Sequence, residues 1–240
     1  MKNNCQGKVI IITGGGTGYG AGMAKALKDQ GAEIFITGRR LEPLQKSARE
    51  LGVKAIQADA TVGADWDKVF AATGNRCDIL INNAGGGVNI TPVIDQTDEA
   101  IFQSLHTNLA AAILGCRRAG KIMAEQHSGL IINVSSICAH YGWPGWSVYT
   151  AGKAGLDMFS RSFYTEMRPY GVRVTVLTPS WGSTEFAAAA YLPGSDAETE
   201  KKKMSPEQMG ALVVNICNFY DHLEFPEIMV QPLIQEVVPF

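Results

Sequence analysis

The chain lacks any apolar run near the roughly 18–20 residues that a membrane-spanning helix needs, so no membrane partner is expected. It also lacks a dominant charge: 21 Lys and Arg face 23 Asp and Glu, for a net charge of −2. Nothing in that balance would draw a nucleic acid or an anionic surface, so neither is expected as a partner. The one charge block, "ETEKKK" (Glu198–Lys203), cancels itself and reads as a solvated loop. Cysteine is sparse. Cys5, Cys77, Cys116, Cys138 and Cys217 are scattered and odd in number, which excludes a closed disulfide framework and fits free thiols in a reducing cytoplasm. The opening "MKNNCQGK" offers no small-residue cleavage site, so a signal peptide is not expected and the expected location is cytoplasmic. Cys138 and His140 are neighbours without a third ligand at metal-binding spacing, and His106, His127 and His222 are isolated. No metal is expected.

What is present is regular alternation. Apolar, β-branched runs of strand length fall at 8–13, 33–37, 54–58, 78–82, 130–135, 173–178 and 227–231. Their apolarity is continuous rather than alternating, as in strands buried on both faces of a parallel sheet. Helical spacing of apolar residues fills 18–30, 41–51, 64–73, 98–126, 149–169 and 206–221, the last opening on Ser205-Pro206 with Glu207 in its first turn. Strand alternating with helix predicts an α/β fold: a doubly wound, Rossmann-like parallel sheet of about seven strands with helices on both faces. No repeat, linker or composition break divides the chain, so one domain over 1–240 is expected. One irregular stretch, Pro179 to Met204, is rich in Ala, Gly, Pro and Ser, and 185–204 within it is expected to be a substrate-binding lid.

After the first strand comes "TGGGTGYG", Thr13 to Gly20, opening into a helix. Glycines here allow close backbone approach to an anion, and the helix start offers unpaired N–H groups and the positive end of its dipole to a pyrophosphate. The common G-x-G-x-x-G spacing is absent; the pattern is T-G-x-x-x-G-x-G on Gly14, Gly18 and Gly20. Further on lie Asn82-Asn83-Ala84-Gly85, Asn108 in "HTNLAAA", Ser136 in "NVSS", and Tyr149 with Lys153 in "YTAGK". In this order and spacing, from residue 8 to about 185, the chain resembles the short-chain dehydrogenases/reductases.

That resemblance implies an oxidoreductase that moves a hydride between a nicotinamide dinucleotide and a small-molecule alcohol or ketone. It implies dinucleotide contacts at Gly14, Gly16, Thr17, Gly18 and Tyr19, at Asp59 and Ala60, at Asn83, Ala84 and Gly85, and at Pro179, Trp181 and Thr184. Tyr149 would be the general acid/base. A free tyrosine has a pKa near 10, so about one in a thousand is ionised at pH 7, and a base role needs positive charge nearby. Lys153, one helical turn on, supplies it and by resemblance also holds the nicotinamide ribose. Ser136 would fix the substrate oxygen; Ser135 is its rival, but strand alternation turns the two serines to opposite sides. Asn108 would hold a water that connects Lys153 to solvent. As plain residues, Asn108 could bond backbone inside its helix and Asp59 could simply start a loop. Ser180 stands where the family usually carries glycine, and the ending "QEVVPF" lacks the common glycine-rich terminus, looking more like the subgroup that ends in Q-P-L/P-V and acts on small hydroxy acids.

Substrate contacts are expected from Ser136 and His140 and from the aromatics Trp143, Trp146, Trp181 and Phe186, with Tyr141 and Tyr191 nearby. The second strand ends "IFITGRR": the position where an acidic residue would hold both ribose hydroxyls of NAD is Gly38, and Arg39 and Arg40 follow. NADP(H) is therefore expected over NAD(H). Apolar residues on more than one face of 98–126 (Phe102, Leu105, Ile113) and 149–169 (Leu156, Phe159, Phe163) point to a homotetramer or homodimer. Two other readings remain: a sugar-nucleotide epimerase or dehydratase, which also uses Y-x-x-x-K, and a dinucleotide-binding redox sensor without turnover. The first should carry a longer substrate region and different glycine spacing; the second should have lost part of the Asn108, Ser136, Tyr149, Lys153 set.

Overall fold

All seven apolar runs become strands of one parallel sheet. This computed structural model describes residues 4–87 and 90–236, so the last four residues of "QEVVPF" lie outside the described residues. The strands are β1 (Val9–Thr13), β2 (Glu33–Gly38), β3 (Lys54–Gln57), β4 (Ile79–Asn82), β5 (Gly129–Val134), β6 (Val172–Pro179) and β7 (Glu227–Val230). They lie in the order β3-β2-β1-β4-β5-β6-β7, with Ile11 opposite Phe35 on one side and Leu80 on the other. Every residue of β1 is buried. Its side chains alternate between two apolar layers, Ile10 and Ile12 in one, Val9 and Ile11 in the other. Each fully buried isoleucine contributes roughly 1.5–3 kcal/mol by leaving water.

The helices are α1 (Gly18–Asp29), α2 (Leu41–Leu51), α3 (Gly63–Ala72), α4 (Asp98–Leu105), α5 (Ala111–Gln126), α6 (Ser147–Met167), α7 (Phe186–Ala189), α8 (Ala197–Lys202) and α9 (Pro206–Cys217). Met23 and Leu27 of α1, Leu44 of α2 and Met209 and Val213 of α9 fill the Ile10 layer. Trp66 and Phe70 of α3 and Cys116 and Met123 of α5 fill the Ile11 layer, with Phe159 and Phe163 of α6 packed against it. Burial in that layer pushes the Cys116 thiol up to about 12, so it stays a neutral, inert side chain. At the start of α9, Ser205 and Gln208 form a capping box.

Three expectations change. The charge block 198–203, expected as a loop, lies largely in α8, whose N-cap Asp196 accepts from Glu198 N and Thr199 N. The helix expected over 98–126 is interrupted by a π-helical turn, His106–Ala110, centred on Asn108. The expected helix over 206–221 stops at Cys217, where Asn218 turns its carboxamide oxygen to the Asn4 N–H at 2.8 Å. A buried polar ladder sets the position of α6. Asn82 Nδ2 donates to Asn133 Oδ1 at 2.8 Å, and Asn133 Nδ2 donates to Ser160 Oγ at 2.8 Å. Strand order reverses between β1 and β4, so a crevice opens at the carboxyl ends of these strands, the place where doubly wound sheets bind ligands.

Candidate active site

At the carboxyl end of β1 the chain turns through glycines that no other residue could replace cheaply. Gly14 and Gly18 hold φ of +66° and +52°, and a Cβ on Gly14 would lie 3.0 Å from Asn83 Nδ2 and 3.1 Å from Ala84 Cα. Thr17, at the N-cap of α1, makes no side-chain bond to the helix, so the first-turn N–H groups remain available to an anion. Thr13 ties this turn to the next strand. Its hydroxyl accepts from Asn83 N at 3.0 Å and Ala84 N at 2.9 Å, while Asn83 Nδ2 donates to Thr13 O at 2.9 Å.

Three consecutive residues at the end of β5 address three side chains of α6. The Ser136 hydroxyl lies beside Tyr149, the Val134 carbonyl accepts from Lys153 Nζ at 2.8 Å, and the Ser135 hydroxyl lies beside Asp157. The two serines thus face different groups, as strand alternation requires. Tyr149 and Lys153 are both buried. Burial pushes the Tyr149 phenol well above its usual range, the Cys138 thiol adds to this, and the Ser136 hydroxyl works against it. Burial pulls Lys153 down to about 8, while Asp157 and Cys138 hold it up.

Asn108 points back across the crevice wall. Its carboxamide accepts from Gly86 N at 3.1 Å and donates to Gly86 O at 2.9 Å and Ser104 O at 3.0 Å. These bonds also explain the π turn, because they occupy the side chain at the point where the helix widens. A Cβ on Gly85 would come within 3.2 Å of Asn108 Oδ1 and 3.3 Å of Lys153 Nζ, so this glycine lets the two groups approach.

These elements enclose a cavity of about 750 Å³. It is lined by Gly14, Gly16, Thr17, Gly18 and Tyr19 from the glycine turn, by Gly38, Arg39 and Arg40 after β2, and by Asp59 and Ala60 after β3. Asn83, Ala84 and Gly85 follow from β4, and Pro179, Trp181 and Thr184 from β6. Ser136, Tyr149, Lys153, Trp143, Trp146 and Phe186 close the other end. Asn108 stands behind this wall, bonded to Gly86. His140 is not among the lining residues; its Nε2 lies 2.6 Å from Glu227 Oε1. Asp59 does line the cavity, yet its Oδ1 accepts from Thr61 N at 2.9 Å and Thr61 Oγ1 at 2.8 Å, the bonding of a loop-start aspartate.

Sequence reasoning missed two contributors. Gln235 lines the cavity and accepts from the Ser180 hydroxyl and from Trp181 N, the latter at 3.1 Å. Ser180, in the place of the usual glycine, thus anchors the last described segment, and only the fold brings these positions together. Glu185 also lines the cavity and pairs with Arg40, Oε2 to Nη2 at 3.2 Å. The segment that follows β6 is tied at its base, where Gly182 bridges Met204 and Ser183 N donates to Met204 O at 2.9 Å. From that base Phe186 reaches Trp146, the rings stacked at 6.2 Å.

A dinucleotide suits this donor set. The cradle would be filled by any side chain larger than glycine, its helix N-terminus is uncapped, and arginines rather than an acid follow the end of β2.

Sequence comparison agrees. The short chain dehydrogenase family model matches residues 8–192. The oxidoreductase asL5 of Sarocladium schorii is 35% identical over 216 residues, 86% of each chain. Among solved structures, the closed form of a serine dehydrogenase complexed with NADP+ superposes with a TM-score of 0.88 at 26% identity, covering 97% of this chain and 98% of that one. A metagenomic short-chain oxidoreductase in complex with NADP superposes with a TM-score of 0.80 at 29% identity, covering 97% of this chain and 100% of that one. Family match, shared fold and the grouping of Ser136, Tyr149 and Lys153 at one end of the crevice lead to one conclusion: this chain belongs to the short-chain dehydrogenase family of oxidoreductases.

Proposed function

We propose that the protein is an NADP(H)-dependent oxidoreductase that interconverts a secondary alcohol and a ketone, with Tyr149 as general acid/base. One observation carries this reading: Tyr149 sits between Ser136 and Lys153 at one end of a cavity whose other end carries Gly38, Arg39 and Arg40. The dinucleotide would be held by the glycine turn, Asn83-Ala84-Gly85 and Thr184, and supplies or takes the hydride. Ser136 holds the substrate oxygen within reach of the phenol. Buried and protonated, Tyr149 is poised to give a proton to a carbonyl oxygen as it is reduced. In the alcohol direction it must first lose that proton, and the Lys153 ammonium is the group that stabilises the phenolate.

Ile90, Tyr141, Trp143, Trp146 and Phe186 pack against the cluster of Ile137, Cys138 and Tyr149, with Lys153 Nζ 5.8 Å from the Tyr149 ring centroid. Those aromatic walls favour a ketone or alcohol with an apolar or aromatic substituent. Residues 185–204 act as a lid over this end. Phe102 on α4 and Met158 on α6, 59% and 61% exposed, favour a homodimer or homotetramer, which light scattering tests. Leu156 plays no part in that surface, because it is buried within its own chain. The buried thiols of Cys77, Cys116, Cys138 and Cys217 fit a cytoplasmic protein.

The test is NADPH oxidation with a panel of aryl and alkyl ketones. Tyr149→Phe should lower kcat about 10²–10⁴-fold while NADPH binding, followed by fluorescence, stays unchanged. Activity within a few-fold of the unaltered enzyme would remove Tyr149 from the mechanism.

A further inference from the structure

Tyr149, Lys153 and Asp157 follow one another along one face of α6 at a spacing of four. Asp157 has no place in the mechanism above and does not line the active-site cavity, yet it is only 6% exposed. Neither of its carboxylate oxygens has a hydrogen-bond partner among the described residues. A buried carboxylate in that condition is retained at a high cost in lost hydration, so the groups around it need an account. On the active-site side is Lys153, and the Ser135 hydroxyl lies beside the carboxylate. On the outer side, Asp157 Oδ2 lies 3.5 Å from His140 Nε2, and that nitrogen lies 2.6 Å from Glu227 Oε1. Glu227 is held in turn by the Thr178 hydroxyl at 2.8 Å and by Arg161 Nη2 at 3.0 Å. A chain of polar contacts therefore runs from Asp157, one turn after Lys153 on α6, through His140 and Glu227 to Arg161, which is half exposed at the surface.

We propose that Asp157 is a positioning residue that keeps Lys153 in its ammonium form, and that His140, itself held by Glu227, keeps Asp157 in place. The inference rests on the reading of Lys153 as the charged partner of Tyr149. Lys153 has given up its hydration for one bond, to the Val134 carbonyl, and a buried ammonium needs more than one neutral acceptor. Two titratable groups act on it favourably, Asp157 and the Cys138 thiol, against burial that pulls it down to about 8. Asp157 is itself pushed up by burial and by Glu227, and held down by Ser135, His140 and Lys153. Removing the Asp157 charge must therefore lower the pH at which Lys153 loses its proton, and removing the His140 ring must act in the same direction by loosening the hold on Asp157. The same three side chains place one ligand atom each within 4.8 Å of the others, as a metal site would. Charge argues otherwise: Arg161 already occupies the second oxygen of Glu227, so that carboxylate is balanced without an added cation.

The test compares kcat/KM against pH for ketone reduction in the unaltered enzyme, Asp157→Asn and His140→Gln. In parallel, Lys153 is titrated directly by NMR of ε-13C-lysine protein, its signal assigned by its loss in Lys153→Met. Asp157→Asn should move the alkaline limb and the Lys153 titration to lower pH by about one unit or more, with activity retained below it, and His140→Gln should move both less. A uniform fall in kcat with the limb and the Lys153 signal unmoved would overturn the proposal and leave Asp157 a packing role. So would a Zn2+-dependent rise in Tm that His140→Gln abolishes. If Asp157→Asn does not fold, His140→Gln and Glu227→Gln carry the test, and an unmoved Lys153 titration in both refutes it. If the unaltered protein reduces no ketone, the proposed reaction fails, while the NMR titration still decides the coupling of Asp157 to Lys153.

Discussion

The ring of Phe186 meets the ring of Tyr149 edge-on, their centroids 5.8 Å apart. Since Phe186 also stacks on Trp146, one residue of the segment after β6 touches two residues at the start of α6. Aromatic contacts of this kind are worth about 0.5–1.5 kcal/mol each beyond simple burial. Phe186→Ala should therefore raise KM for an apolar ketone by roughly 3–30-fold and leave NADPH affinity within about two-fold. Steady-state kinetics and fluorescence titration separate the two. In the unaltered enzyme, trypsin cleavage at Lys201–Lys203 should slow when cofactor and ketone are both present. Equal cleavage rates with and without them would deny the segment a lid role.

Thr13 offers a stability prediction. Its buried hydroxyl is the shared acceptor for Asn83 N and Ala84 N, and valine has the same shape without the oxygen. Thr13→Val leaves two N–H groups without that acceptor, each costing about 1–3 kcal/mol. We expect a loss of about 2 kcal/mol or more in urea unfolding, together with weaker NADPH binding as Asn83-Ala84-Gly85 loosens. A change below 0.5 kcal/mol would mean that other acceptors replace the hydroxyl.

The sheet was legible because a parallel strand buried on both faces is written as an unbroken apolar run, and β1, β2, β4, β5 and β6 follow those runs to within about two residues, whereas β3 is a mostly exposed edge strand. The glycine turn was legible because glycine takes the positive φ of Gly14 and Gly18 without strain, and at Gly14 a Cβ would also crowd Asn83 and Ala84. What local pattern could not show is long-range bonding. The break at 106–110 arises where Asn108 bonds the backbone of Gly86, and nothing in the apolar periodicity of 98–126 reports that. His140 reads as a pocket residue by proximity to Ser136, but Glu227 and Asp157 draw its ring away from the cavity. Asp157 escapes the sequence because a single aspartate on a helix face is ordinarily solvated, and only the packing of α6 against β6 and the turn at 137–139 buries it.

Cofactor choice is the prediction that the structure sharpens most. β2 ends at Gly38, where an NAD-selective site would place a carboxylate, and a Cβ there would meet only Leu44 Cδ1 at 3.6 Å. An aspartate therefore fits without a clash, so a failed switch could not be blamed on sterics at its Cβ. Arg40 already pairs with Glu185 at 3.2 Å, both side chains being well exposed, which leaves Arg39 as the first candidate for the 2′-phosphate of NADP. A guanidinium–phosphate pair contributes about 1.5–3 kcal/mol, or roughly a ten- to hundred-fold preference for NADP(H) in kcat/KM. Because both arginines border solvent, that preference should shrink as salt rises above physiological strength. Gly38→Asp/Arg39→Leu should reverse it by removing the pairing cation and adding a charge that repels the phosphate. An unaltered enzyme that favours NAD(H), or a double variant whose preference does not move, would show that Arg39 does not read the phosphate.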